Sequence, residues 1–130
     1  MVTDSSLLRL RSTRSTLNMI CVTVLTDSEP RYIGISMTGH AGLAEDHQEG
    51  QELVCAAVSA LTLNMANSVE HFTGDEFEAD EDEERGYFSF RFTSDISSES
   101  QLLMNSFLFG LLDIEESYGE PYIKICFKEV

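Results

Sequence analysis

An alternation of apolar and polar residues is the first clear pattern along the chain, and it predicts two β-strands. Ile20, Val22 and Val24 alternate with their neighbours, as in a strand with one buried face. A second alternating segment covers 32–38, where Ile33, Ile35 and Met37 share a face. The turn-forming sequence DSEP at 27–30 separates the two segments, so we expect a hairpin.

Two later segments have the period of an amphipathic helix. The first begins at Gln51 and ends near 71–74. Its core-facing stripe comprises Val54, Val58, Leu61, Met65 and Val69. The second runs from about Ser97 to Tyr118 and is capped by Asp95 or a serine. Its apolar face is broad enough to suggest burial on two sides and comprises Leu103, Met104, Phe107, Leu108, Leu111, Leu112 and Ile114.

Three further strands are predicted between and after the helices. Residues 87–92 alternate Phe with smaller or polar residues, which is typical of a strand. The preceding segment 75–84 holds eight acidic residues in ten positions. We interpret it as a short hairpin partner with Phe77 and Ala79 inward. A last strand at 122–128 places Ile123, Ile125 and Phe127 inward.

The order of these elements predicts an α+β domain. The order β-β-α-β-β-α-β implies a mixed sheet of four or five strands with two helices packed on one face. We assign 19–130 to this single domain. Residues 1–18 differ in composition and include Arg9, Arg11 and Arg14. We expect them to be a disordered tail or the product of a start codon assigned too far upstream.

Charge and cysteine content narrow the classes of function. Eight basic and 23 acidic residues give a net charge of −15, which disfavours nucleic acid and favours a basic partner. No apolar run approaches the roughly 18 residues of a membrane span, so no membrane association is expected. The three cysteines form no CxxC unit and no secretory signal precedes them, so we expect free thiols in the cytoplasm.

Cys55 and His40 are the residues that could carry chemistry. Cys55 lies about one turn inside the first predicted helix, and helix N-termini lower thiol pKa values. The alternative is a small core residue. His40 follows the second strand between Gly39 and Ala41 and could reach the helix start. A thiol and an imidazole are the minimum set for nucleophilic catalysis, and Ser59 lies one turn after Cys55.

The remaining histidines, acids and cysteines give weaker signals. His47 could join His40 and Cys55 around a metal, but the spacing matches no metal motif, so no metal and no cofactor are expected. The acidic run lacks the glycine and ligand register of a calcium loop. Cys21 and Cys126 fall in predicted strands and are interpreted as structural.

The segment from Gly39 to Leu61 resembles one protein family. It reads GHA, then an acidic loop, then the residues GQELVCAAVSAL at 50–61. This pattern resembles the bacterial ribosomal-processing cysteine protease (Prp) family, and the second predicted helix is similar as well. The resemblance implies a homodimeric cysteine endopeptidase that removes a short N-terminal extension from a bL27-type large-subunit ribosomal protein.

By the same resemblance, His40 corresponds to the catalytic histidine and Cys55 to the nucleophile. Ser59 falls on the family's serine near the site. Glu52 stands where an aspartate is common, and the loop between His40 and Cys55 looks longer than usual for the family. The group that orients His40 is open among Glu52, Asp46 and a backbone carbonyl.

Two other functions remain open at this point. One is a non-catalytic ribosome-associated binding module whose acidic surface docks a basic ribosomal protein, with Cys55 as a core residue. The other is a thiol enzyme of different specificity, such as a small amidase.

Overall fold

A computed structural model of the chain describes residues 19–29, 31–39, 49–119 and 121–130. Five strands and two helices follow the predicted order β-β-α-β-β-α-β. They are β1 (Ile20–Thr26), β2 (Tyr32–Thr38), α1 (Glu49–Phe72), β3 (Phe77–Asp82), β4 (Tyr87–Phe92), α2 (Ser98–Tyr118) and β5 (Ile123–Glu129). The predictions for 1–18 and for most of the loop before α1 lie outside the described residues.

The five strands form one mixed sheet in the order β3-β4-β2-β1-β5. β1 and β2 form the predicted antiparallel hairpin, and β3 and β4 form a second one. β5 returns alongside β1 in parallel. Val24, Ile35 and Phe90 are in register across β1, β2 and β4, so one face of the sheet presents a continuous apolar floor.

Both helices cover this apolar face, as predicted. The fully buried side chains come from the strands and from one side of each helix: Ile20, Val22, Val24, Ile35, Met37, Val54, Val58, Met65, Phe90, Met104, Leu111 and Ile123. The helices contact each other where Gly110 faces Leu61. A Cβ at Gly110 would lie 2.9 Å from Leu61 Cδ1, so glycine permits this close approach.

Local hydrogen bonds fix the start of α2. Ser97 is the N-cap, and its Oγ accepts a 3.1 Å hydrogen bond from the Ser100 N–H. This confirms the predicted serine cap. Asp75 accepts from both the N–H and the hydroxyl of Ser97, at 2.9 and 2.6 Å. The segment after α1 is thereby tied to the start of α2.

Three side chains that were predicted to face the core are exposed in the structure, so these predictions were wrong. Ala79 faces the helix side in register with Phe90, yet it is exposed because β3 is an edge strand. Phe127 on the other edge strand is 52% exposed. Leu112 is 41% exposed, so the apolar face of α2 is buried less widely than its sequence suggested. An alternating pattern identifies a face but not the extent of its cover.

Candidate active site

Cys55 lies on the sheet-facing side of α1. It is 7% exposed and belongs to the core cluster with Val54 and Val58. α1 begins at Glu49, two residues before the predicted start at Gln51, so Cys55 lies six positions into the helix. The unpaired N–H groups of a helix are its first four, and the effect of the dipole fades within the first turn. The expected activation of the thiol by the helix start was therefore wrong.

The surroundings of Cys55 favour the neutral thiol. Burial raises the pKa of Cys55, and the negative charge of Glu52 raises it further. A hydrogen bond from Gln51 acts in the opposite direction and lowers this pKa, but the net shift is upward. At neutral pH the thiol is protonated, so its use as a nucleophile requires a base to take the proton.

Gln51 is a contact of Cys55 that sequence reasoning missed. Its Nε2 donates a hydrogen bond to Cys55 Sγ at 3.6 Å, and the Gln51 side chain is only 5% exposed. The two residues are four positions apart, a spacing that places side chains on one helical face. That spacing was visible in the sequence, but a glutamine near a helix start gave no reason to expect burial.

The other two predicted site residues on α1 occupy different surroundings. Ser59 is partly buried one turn after Cys55, on the expected face. Within the residues that the structure describes, no hydrogen bond joins Ser59 to Cys55. Glu52 is exposed, and its charge acts on Cys55 across the helix surface.

The end of β2 places the backbone that leads to His40. β2 ends at Thr38, and Gly39 has φ of 83°, a conformation that favours glycine. The Gly39 N–H donates a 2.7 Å hydrogen bond to the Gly86 carbonyl, which fixes the strand end. His40 follows directly in the chain, but it lies outside the described residues, as do Asp46 and His47. The pairing of His40 with Cys55 stays a prediction.

α1 contacts the same strand that leads to His40. The Thr62 hydroxyl donates to the Val58 carbonyl at 2.7 Å and lies 3.7 Å from Met37 Sδ on β2. Thr62 follows Cys55 by seven residues, or about two helical turns. Near its start α1 passes close to Tyr122, because a Cβ at Gly50 would lie 2.8 Å from the Tyr122 hydroxyl oxygen. The helix that bears Cys55 thus contacts β2 at Met37 and the residue before β5 at Tyr122.

The other cysteines and the acidic residues form no further site in the described part of the chain. Cys21 in β1 is partly buried and Cys126 in β5 is exposed, and all three cysteines are free thiols. Both therefore lie in strands, as predicted. Among the described residues, no group of three or more His, Cys, Asp or Glu side chains is arranged to hold a metal ion.

Comparison with known sequences assigns most of the chain to one family. Residues 19–124 match the family model for the cysteine protease Prp. The ribosomal processing cysteine protease Prp of Bacillus subtilis (strain 168) is 36% identical over 106 residues, which cover 78% of this chain and 92% of that protein. The protein of the same name from Staphylococcus aureus (strain Mu50) is 32% identical over 103 residues, with 78% and 93% covered.

Solved structures agree with this assignment. The crystal structure of an essential ribosomal processing protease Prp from S. aureus, bound to a substrate peptide, has a TM-score of 0.76 at 28% identity. It covers 85% of this chain and all of that one. The same S. aureus protease with a covalently linked product peptide gives 0.73 at 29% identity, with 85% and 100% covered. SMU.848 from Streptococcus mutans gives 0.76 at 27% identity, with 86% and 99% covered.

A two-layer α+β domain with a buried thiol on its first helix, together with these matches, defines a cysteine protease, which is a hydrolase. The similarity extends over nearly the full length of the relatives rather than over a short motif. The chain belongs to the cysteine protease Prp family.

Proposed function

We propose that this protease removes a short N-terminal extension from a bL27-type large-subunit ribosomal protein, with Cys55 as nucleophile and His40 as general base and acid. The observation that carries the proposal is the state of Cys55. Its thiol is buried, with a raised pKa, and it receives a hydrogen bond from Gln51. Such a thiol needs a neighbouring base, and His40 follows the end of β2, a strand that α1 contacts through Thr62 and Met37.

The proposed reaction uses these two groups in sequence. His40 takes the thiol proton, and Cys55 Sγ attacks the carbonyl carbon of the scissile peptide bond. The C–N bond then breaks as the imidazolium gives its proton to the leaving amine, which produces a thioester. Water, deprotonated by His40, hydrolyses the thioester and restores the thiol. The amide of Gln51 stabilises the thiolate in the first step, because hydrogen bonds to a charged acceptor are stronger than those to a neutral one.

Net charge supports a basic substrate. The chain carries 23 acidic and 8 basic residues, so a basic protein is attracted before specific contact forms. The acidic segment at β3 and the β3–β4 turn is exposed over nearly its whole length and contributes to this field. We expect the second-order cleavage rate to fall as salt is added, because exposed charges are screened within about 8 Å at physiological ionic strength. A cleavage rate that does not change with salt would argue against electrostatic steering.

The first test is cleavage of a peptide that spans the N-terminus of the host's bL27-type protein. Wild type, Cys55→Ala and His40→Ala are compared by mass spectrometry, with Cys126→Ala as a matched control because Cys126 is an exposed thiol outside the site. We expect cleavage by wild type and by Cys126→Ala only. Cleavage by Cys55→Ala would eliminate Cys55 as the nucleophile.

The same test addresses the alternative of a non-catalytic docking module. A cysteine 7% exposed and packed in the core is also compatible with a purely structural role. That alternative predicts that wild type and Cys55→Ala bind the basic peptide equally and that neither cleaves it. Cleavage of simple amides without a peptide preference would instead indicate the amidase alternative.

We also propose that this protein forms a homodimer and acts in the cytoplasm. An exposed free thiol at Cys126 is compatible with a reducing compartment. Exposed apolar side chains on both helices, among them Leu53 and Phe109 at 55% and 79% exposure, provide surface for a second copy. Light scattering during size-exclusion chromatography measures the mass directly, and a monomer at micromolar concentration would contradict the dimer.

A further inference from the structure

Strand β3 leaves one edge of the sheet without a neighbour. The strand order β3-β4-β2-β1-β5 places β3 at the end of the sheet, where it pairs with β4 alone among the described strands. The backbone N–H and C=O groups on its outer edge are therefore open to an added strand. Ala79 in the middle of β3 faces the helix side and is exposed, so there is room beside it for an apolar side chain.

The other face of β3 is acidic. Glu78, Asp80 and Asp82 share the face of the sheet opposite the helices, because Ala79 between them faces the helix side. Asp82 is paired with Arg85 at 3.4 Å, whereas no ion pair holds Glu78 or Asp80 within the residues that the structure describes. A strand with basic residues on one face and apolar residues on the other would match this edge.

The segment 1–18 contains one stretch with this pattern. Residues 7–12 read LLRLRS, so leucine and arginine alternate from position 8 to position 11, as in a strand with one apolar and one basic face. The whole segment holds three arginines and one acidic residue, although the chain carries −15. It lies outside the described part of the chain, and the match to the family model begins only at residue 19.

We propose that residues 7–12 add to the open edge of β3 as a sixth strand that runs parallel to β3. The leucines cover Ala79 on the helix side, and the arginines face Glu78 and Asp80 on the opposite side. Opposite charges on neighbouring strands stabilise a sheet, and the added strand pairs the backbone groups of the free edge. This strand replaces the disordered tail that composition alone suggested.

The point where the segment joins the fold permits this addition. β1 begins at Ile20, and Cys21 is in register with Thr38 at the end of β2. Thr38 is in register with Tyr87 on β4, and Tyr87 with Asp82 on β3. The start of β1 and the end of β3 therefore lie in one row across the sheet. A strand beyond β3 is four strand spacings from β1, or about 19 Å.

The length of the connection decides the direction of the added strand. Eight residue steps separate Ser12 from Ile20, and they extend to at most about 26 Å. A strand parallel to β3 ends at the row that contains the start of β1, so the connection reaches. An antiparallel strand would end about 16 Å lower, which requires about 25 Å even in a straight line through the sheet. That leaves no length to pass around the strands.

The connection crosses the end of the sheet that leads to His40. The Gly39 N–H donates to the Gly86 carbonyl at 2.7 Å, so the end of β2 and the acidic β3–β4 turn meet there. Residues 13–18 pass this place, and the arginines before them occupy the acidic edge that attracts a basic peptide. The docked segment therefore competes with substrate and raises its KM, a consequence that rests on the proposed function, whereas the strand itself does not.

Protection against aggregation is the simplest other explanation of the acids on β3. Charged residues on an edge strand prevent two sheets from pairing edge to edge. That explanation accounts for Glu78 and Asp80, but it gives no reason for the alternation of leucine and arginine in residues 7–12. The acids repel a second copy of β3 and attract a basic strand, so the two roles are compatible.

A disulfide between the added strand and β3 tests the pairing. Leu8→Cys and Ala79→Cys are combined in the full chain with Cys21→Ser and Cys126→Ser, and the protein is oxidised. Neighbouring strands bring Cα atoms to about 5 Å, within disulfide range. The control is Leu8→Cys with Cys21→Ser alone, in which the exposed Cys126 lies on the opposite edge strand. We expect the intramolecular disulfide to form about tenfold faster in the first protein, because its thiols have the higher effective concentration.

Two results of this oxidation would contradict the proposal. Equal rates in the two proteins would show that the segment is a free tail. A disulfide that joins two chains, identified by mass spectrometry, would overturn the pairing within one chain and assign the added strand to the other copy.

Charge reversal gives a second readout. Arg9→Glu combined with Arg11→Glu places acids against the acids of β3, so the strand should leave the edge. Hydrogen exchange of residues 77–82 should then become about tenfold faster than in wild type. The KM for the basic peptide should fall, with kcat unchanged. Arg14→Glu is the matched control, because it makes the same kind of charge change outside the added strand, and it should have little effect on exchange.

The outcomes separate this inference from the proposed function. Unchanged exchange at 77–82 in the charge-reversed protein would overturn the sixth strand. Faster exchange with an unchanged KM would overturn the competition with substrate and leave the strand in place. Faster exchange in a protein whose wild type cleaves no basic peptide would contradict the proposed function, and the sixth strand would stand.

Discussion

The side-chain amide of Gln51 donates a hydrogen bond to the thiol of Cys55, with Nε2 3.6 Å from Sγ. Both side chains are buried on one face of α1, where water does not compete for the bond. The same environment that raises the pKa of Cys55 by burial therefore contains one group that opposes the shift. The reactivity of the thiol depends on the balance between the two.

Replacing Gln51 with leucine should make Cys55 less reactive. Leucine removes the hydrogen-bond donor and fills a similar volume with an apolar side chain. The pKa of Cys55 should therefore rise further. A hydrogen bond to a charged group contributes about 1.5 to 3 kcal/mol, so we expect alkylation by iodoacetamide at pH 7 to slow by about tenfold or more. The measurement is the alkylation rate as a function of pH.

Gln101→Leu is the control for this prediction. Gln101 also makes a partly buried hydrogen bond, from Nε2 to the Tyr32 carbonyl at 2.8 Å, but it lies on the other helix. The variant should lose stability without changing the pH profile of Cys55. Equal profiles for Gln51→Leu and wild type would show that the amide does not act on the thiol.

The pKa of Cys55 also makes stability depend on pH. Because the pKa of this thiol is higher in the folded state, its contribution to the free energy of unfolding is fully present at pH values below the pKa of the unfolded state, which is near 8.5. The contribution is lost as pH rises through the folded pKa, because the unfolded chain then releases its proton more readily. The difference in urea midpoint between wild type and Cys55→Ala should shrink or reverse from pH 7 to pH 10. Cys126→Ala, at an exposed thiol, controls for the loss of a cysteine; a wild-type profile parallel to that of Cys55→Ala would contradict the prediction.

Gly34→Ala should destabilise the centre of the sheet. A Cβ at Gly34 would lie 2.5 Å from the Phe90 carbonyl oxygen and 3.1 Å from Arg91 Cα. These are backbone atoms of the neighbouring strand β4, which cannot move away as a side-chain end can. Overpacking of this kind costs about 1 to 3 kcal/mol, so we expect the thermal midpoint to fall by several degrees. Gly74→Ala is the control because no atom lies within 4 Å of its Cβ position; equal losses in both variants would contradict the packing argument.

The hydrogen bonds at the start of α2 predict a response to acid. Hydrogen bonds from Ser100 and Ser97 hold the pKa of Asp75 below its usual value. A lowered pKa contributes stability above the unfolded value, near 3.9, and that stability is lost as pH falls through the folded pKa. Asp75→Asn should therefore lower the free energy of unfolding at pH 7 and have less effect near pH 2. Asp80→Asn, on the exposed strand β3, should have little effect at pH 7.

The cap can also be tested with substitutions that leave the Asp75 carboxylate in place. Ser97→Ala removes both the acceptor of the Ser100 N–H and the hydroxyl that donates to Asp75, and should cost about 1 kcal/mol or more. Ser98→Ala, one residue later and exposed, should be nearly neutral. If the two alanine variants were equally stable, Ser97 would not be the functional cap.

The sequence by itself determined the order, type and approximate limits of every described element, and it placed Cys55 in the first helix. Periodicity carries this information, because the spacing of apolar residues defines which side of a strand or helix is apolar. The motif around Cys55 also indicated the family, which the comparisons confirmed. The pairing of His40 with Cys55 stays a prediction.

Only the tertiary structure decided how deeply each apolar side is covered. Phe127 and Ala79 follow the same alternation as Phe90, yet they are exposed because they lie on edge strands, at positions that the helices do not cover. Gln51 is polar yet buried, since the core that encloses Cys55 encloses its neighbour one turn away. Burial depends on what other elements pack against a residue, and a one-dimensional pattern does not contain that information. The pKa of Cys55 depends on burial, so it too was decided by the fold.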